Sequence, residues 1–182
     1  MKKMKKYKRG SFSTVEIIIS ISIMLILGGM VLLNYGLQRD KMELNNAANS
    51  VVQAIRKVQD LALGQSARPS TCSSDSGTKA TNFAAYFKKE ENKVTLYADK
   101  DVSGNECSFE EVFFSPTIKI SSLNPAGSSN DAWVSFYIQD LSVKINNSSA
   151  TSLTITLCIK SSCTTNNTKT IKVNNKGMVE VQ

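Results

Sequence analysis

Leu153-Thr154-Ile155-Thr156-Leu157-Cys158-Ile159 alternates apolar and polar side chains without a break. A period of two puts Leu153, Ile155, Leu157 and Ile159 on one face of an extended chain and Thr154, Thr156 and Cys158 on the other. This predicts a strand with one buried face in an antiparallel sheet. Working outward, Phe83 to Phe87, Lys93 to Ala98, Glu111 to Phe114, Thr117 to Ser121, Trp133 to Ile138, Lys169 to Val173 and Met178 to Val181 are also short and β-branched or aromatic, with Asn, Ser and Gly turns between them. Residues 65–182 therefore read as an antiparallel β domain.

Upstream the period changes. Leu44, Ala48, Val51, Ile55, Val58 and Ala62 recur in steps of four and three, one apolar stripe along one helix. Residues 38–64 are expected to be that amphipathic helix, with Gly64 at its C-cap and Gln65 to Asn82 as a loop. No proline interrupts residues 11–68, so the helix is expected to continue upstream through the uncharged run Ile17 to Leu33, with Gly28-Gly29 as its likeliest bend. Residues 11–37 then form a transmembrane segment, since the run and its flanks come close to the roughly 20 residues that a bilayer requires. The expected fold class is α+β: a long N-terminal transmembrane-plus-amphipathic helix packed on a C-terminal antiparallel sheet.

The chain has 182 residues and a formal charge of +7. Lys2, Lys3, Lys5, Lys6, Lys8 and Arg9 supply six of the 22 basic residues, leaving 16 against 15 acidic ones. The basicity belongs to a leader, residues 1–10, and reads as a positive-inside signal holding the N-terminus in the cytoplasm of a single-pass inner-membrane protein. Leu33-Asn34-Tyr35-Gly36 offers no small-x-small cleavage site, so the apolar run is expected to stay with the protein. Glu16 stands at the mouth of that run. A carboxylate there costs up to roughly 2.5–3.5 kcal/mol at mid-bilayer and less at the interface, so it needs a partner.

The four cysteines, Cys72, Cys107, Cys158 and Cys163, lie beyond the apolar run, and two disulfides are expected. Three connectivities are open; a local Cys158–Cys163 bridge would leave Cys72 for Cys107. Zinc would need a second short Cys or His pair, and the chain has no His.

The basic leader, Gly10-Ser11-Phe12-Ser13-Thr14-Val15-Glu16 and the Ile/Leu run together resemble the class III signal of type IV pilins and type II secretion pseudopilins. That resemblance implies cleavage by a prepilin peptidase ahead of the apolar run, N-methylation of the new terminus, and packing of the retained helices in a filament core. It also implies that Glu16 pairs with the N-terminal ammonium of a neighbouring subunit. The family pattern places Phe directly after Gly, whereas Ser11 stands between Gly10 and Phe12 here. Cutting after Gly10 makes Glu16 the sixth mature residue, and cutting after Ser11 makes it the fifth. The rest of the chain is similar, less specifically, to H-type minor pseudopilins and minor type IV pilins, through Ala84-Ala85-Tyr86-Phe87, Val94-Thr95-Leu96-Tyr97-Ala98-Asp99, Lys169 to Val173 and Gly177-Met178-Val179.

Asp99, Asp101, Ser103, the Asn105 carbonyl and Glu110 have the spacing of an EF-hand calcium loop, with Gly104 at the turn. Glu106 occupies a position that is usually apolar, and strands flank the loop where helices belong, so a solvated hairpin turn is the simpler reading and no cofactor is expected. Without His the common triads are absent, and no phosphate loop or dinucleotide fingerprint occurs. Lys160, Lys169, Lys172 and Lys176 could line a DNA-binding edge but lack interleaved aromatics, so DNA is not the expected partner.

The functional expectation is a non-enzymatic minor pilin or pseudopilin subunit that ends in an extracytoplasmic filament. Its expected partners are the prepilin peptidase, other subunits, the membrane and an inner-membrane assembly platform. The alternatives are a filament-tip binding module and an unprocessed single-pass membrane protein.

Overall fold

A computed structural model describes residues 13–65, 67–72, 79–100, 106–146, 148, 150–160, 163–164 and 167–182, apart from the side chains at 30–35 and 37. It divides into two units, Met1–Arg39 and Asp40–Gln182. One helix, α1, runs Thr14–Leu63. Among the described residues nine strands follow: β1 Asn82–Lys88, β2 Lys93–Ala98, β3 Cys107–Phe113, β4 Ile118–Asn124, β5 Asp131–Tyr137, β6 Val143–Ile145, β7 Ser152–Ile159, β8 Thr168–Asn174 and β9 Val179–Val181. They build two antiparallel sheets, ordered β3-β2-β1-β5-β6 and β4-β7-β8-β9.

These facts correct the α+β expectation and its membrane anchor. The fold is mostly β, about 40% strand against 30% helix, and among the described residues no helix is long and apolar enough to cross a membrane. The reason lies in the make-up of α1, whose 50 residues are not uniformly apolar. From Arg39 onward it carries Arg39, Asp40, Lys41, Glu43, Arg56, Lys57 and Asp60. A single-pass inner-membrane location is likewise unsupported.

In the Asp40–Gln182 unit, the stripe Leu44, Ala48, Val51, Ile55, Val58 and Ala62 is buried in one core together with both sheets. The register of the larger sheet stacks its inward side chains in three rows: Ala98, Phe83, Phe136; then Leu96, Ala85, Val134; then Val94, Phe87, Ala132. Alanines face aromatic or branched neighbours in each row, so small and large side chains complement one another across the sheet. In the smaller sheet the inward set is Ile118, Ile120, Leu123, Leu153, Ile155, Leu157, Ile171 and Val173. Alternation slips in β4 because a bulge between Ile120 and Ser122 adds one residue, which sends Leu123 inward in place of Ser122.

Of the turns with left-handed backbone, two lie against the helix. The helix ends at Leu63 with Gly64 next, where the sequence placed the C-cap, and Gln65, at φ 48°, is the left-handed residue that follows, its N–H donating to the Ala62 carbonyl. Gly177, at φ 78°, turns β8 into β9. A Cβ there would lie 3.0 Å from Phe136 and 3.2 Å from Gln59, so the hairpin touches the helix and the larger sheet only because the residue is glycine.

Candidate assembly interface

The first turns of α1 explain themselves locally. Ser13 caps the helix: its Oγ accepts from the Val15 N–H at 3.3 Å, and its carbonyl accepts from the N–H groups of Glu16 and Ile17. Ser13 and Glu16 have the Ser-x-x-Glu spacing of a capping box, and a carboxylate in the first turn opposes the positive end of the helix dipole. Glu16 thus has a local role in starting the helix. Among the described residues it has no ion pair.

Beyond Glu16 the surface is apolar and open. Every described side chain from Ser13 to Gly29 is exposed, including Val15, Ile17, Ile18, Ile19, Ile21, Ile23, Met24, Leu25, Ile26 and Leu27. Met24 and Leu25 are 73% and 72% accessible. The two serines within this surface do not solvate it, because Ser20 and Ser22 donate back to the Glu16 and Ile18 carbonyls at 2.7 and 2.8 Å. Gly28 and Gly29 open onto empty space, where another backbone could approach closely. Contiguous apolar surface of this extent marks an interaction site.

The outer part of α1 is fastened to the β domain by polar contacts as well as by its stripe. Glu43 accepts from the hydroxyls of Ser115 and Thr117, and Lys57 pairs with Glu110 at 2.5 Å. The connector after the helix is held by a buried pair: Arg68 Nε donates to Asp99 Oδ2 at 2.6 Å, with both side chains 5% accessible. Asp99 Oδ1 accepts from the Thr81 N–H and hydroxyl at 2.6 and 2.5 Å. Burial pushes the Asp99 carboxyl up, but the two Thr81 bonds and Arg68 outweigh it and hold the group below its usual range. Cys72–Cys107 staples the same connector to β3, and Cys158–Cys163 closes the end of β7. Both disulfides follow the pairing in which the local bridge leaves Cys72 for Cys107.

The other expected sites fare differently. Gly10, Ser11 and Phe12 lie outside the described residues, as do Asp101, Ser103, Gly104 and Asn105 of the calcium spacing. The two described acids of that set already serve other groups, Asp99 holding Arg68 and Thr81 and Glu110 holding Lys57. Among the described residues no cluster of His, Cys, Asp or Glu could hold a metal ion. The four lysines of the DNA reading do not share a face: Lys169 and Lys172 are three residues apart on β8 and so point to opposite sides of the sheet. Two features escaped the sequence reading altogether, the Arg68–Asp99 pair and an aromatic cluster around Lys100. The second depends on strand register.

Fold and site together define a two-sheet β protein that carries an exposed apolar helix. Compared with known proteins, the chain matches no protein-family model, no curated protein and no solved structure.

Proposed function

We propose that this protein is a structural subunit of a type IV pilus or type II secretion pseudopilus, processed by a prepilin peptidase and held in its filament through the start of α1. The observation that carries the reading is the exposed apolar surface from Val15 to Leu27 with Glu16 at its head. A helix that is apolar around its circumference must be covered, and helices of other subunits would cover it. Glu16 then faces the new N-terminal ammonium of a neighbour, a charge pair formed only after cleavage upstream. The β domain, locked by two disulfides and the Arg68–Asp99 pair, would be displayed by that helix in an oxidising compartment. Terminal-peptide mass spectrometry on sheared filament fractions tests the proposal. The expected peptide begins at Ser11 or Phe12, and an intact Met1 terminus in those fractions would overturn it.

A further inference from the structure

The outer face of the larger sheet, turned away from the core, carries a cage of aromatic rings. Register builds it. Tyr86 of β1 pairs with Trp133 of β5, while in the next row Tyr97 of β2, Ala84 and Ser135 lie side by side. The two small residues make a floor, and the three rings stand around it. The rings are held in place: the Tyr86 hydroxyl donates to Asp131 at 3.0 Å, and Tyr86 meets Tyr97 edge to face at 5.8 Å. Burial first, then the bond to Asp131, pushes the Tyr86 phenol well above its usual range, so its ring stays neutral.

The cage is filled by this chain's own Lys100. Its Nζ lies 4.7, 5.2 and 5.7 Å from the ring centroids of Tyr97, Tyr86 and Trp133, and it pairs with Glu106 at 2.7 Å. Ala84 and Ser135 are then fully buried. The Ser135 hydroxyl, at the floor, has no hydrogen-bond partner among the described residues. Three ring faces and a carboxylate around one ammonium are the elements that recognise alkylammonium groups, because each ring presents its negative face to the cation.

We infer that this cage is a receptor for a lysine side chain of a partner protein, with Lys100 as the occupant that a partner displaces. Lys100 is suited to give way. Among the described residues its ion pair is to Glu106; the Lys100 side chain is 16% accessible and that of Glu106 50%, so solvent reaches the pair from the Glu106 side and weakens it. Asp99, the residue before it, is fixed by Arg68 and Thr81, so the lysine can swing out without disturbing the strand end. A tethered competitor lowers the apparent affinity by the fraction of time that it leaves the cage open.

The test uses the full chain, the Lys100→Gln variant and n-butylammonium, which reproduces the stem and head of lysine. Potassium chloride at equal ionic strength is the control. Trp133 is the only tryptophan, so its fluorescence reports occupancy directly. The wild-type chain should bind n-butylammonium saturably, and Lys100→Gln should bind it about tenfold more tightly; adding Tyr97→Ala to that variant should abolish the response. Binding by Lys100→Gln alone would show that Lys100 is a permanent plug and would overturn the inference. So would binding by neither chain, provided that circular dichroism shows both folded.

Discussion

Replacing Arg68 with alanine exposes the energetics of the connector most sharply. The guanidinium and the Asp99 carboxylate are both 5% accessible, so removing one leaves a buried charge that water cannot reach. Breaking such a pair costs about 3–5 kcal/mol. Asp99 keeps two bonds from Thr81 at 2.6 and 2.5 Å, which places the expected loss at the lower end, about 3 kcal/mol. With a urea dependence of about 1.5–2 kcal/mol/M, the unfolding midpoint of the Asp40–Gln182 unit should fall by about 1.5–2 M. Asp99→Asn retains an acceptor for Thr81 but removes the carboxylate charge that faces the buried Arg68, and should also destabilise. The double variant Arg68→Met, Asp99→Asn should be more stable than either single variant, because no unpaired charge remains. A loss below about 1 kcal/mol for Arg68→Ala, or a double variant whose loss equals the sum of the singles, would refute the reasoning.

The same carboxylate sets an acid limit. Its folded pKa lies below the unfolded value of about 3.9, so its contribution is present above that pH and is lost as pH falls through the folded value. Urea midpoints measured against pH should therefore drop below about pH 4, with a shallower drop in Asp99→Asn. The two disulfides should differ in weight. With sequence separations of 35 and 5, loop-closure entropy gives about 4 kcal/mol for Cys72–Cys107 and about 2 kcal/mol for Cys158–Cys163, so the paired serine variants should rank in that order by calorimetry.

Much of the β domain could be read from alternation because one face of each strand is buried. The eight predicted strands all occur, five of them (Phe83–Phe87, Lys93–Ala98, Leu153–Ile159, Lys169–Val173 and Met178–Val181) within one residue of their observed ends. The missing one is β6, three residues with Lys144 at its centre and too short to show a period. The start of β3 was hidden by Ser108 and Glu110, and by the bulge that sets Phe109 out of step with β2. The stripe on α1 was visible because six apolar residues keep helical spacing through a segment rich in Asn and Gln. Its apolar beginning misled in the opposite direction, since hydropathy alone suggested a bilayer span that the described helix does not supply. Glu16 and the four cysteines stood out by type and position. The Arg68–Asp99 pair and the Lys100 cage could not, because they join residues distant in the chain that only the tertiary fold brings together.

The central claim is that the exposed start of α1 is an assembly surface led by Glu16. It is tested most directly by comparing wild type with Glu16→Ala in sheared filament fractions from cells that make the prepilin peptidase. Both chains should be cleaved and accumulate equally, but Glu16→Ala should be depleted from filaments at least tenfold. Equal incorporation of the two chains would contradict the account.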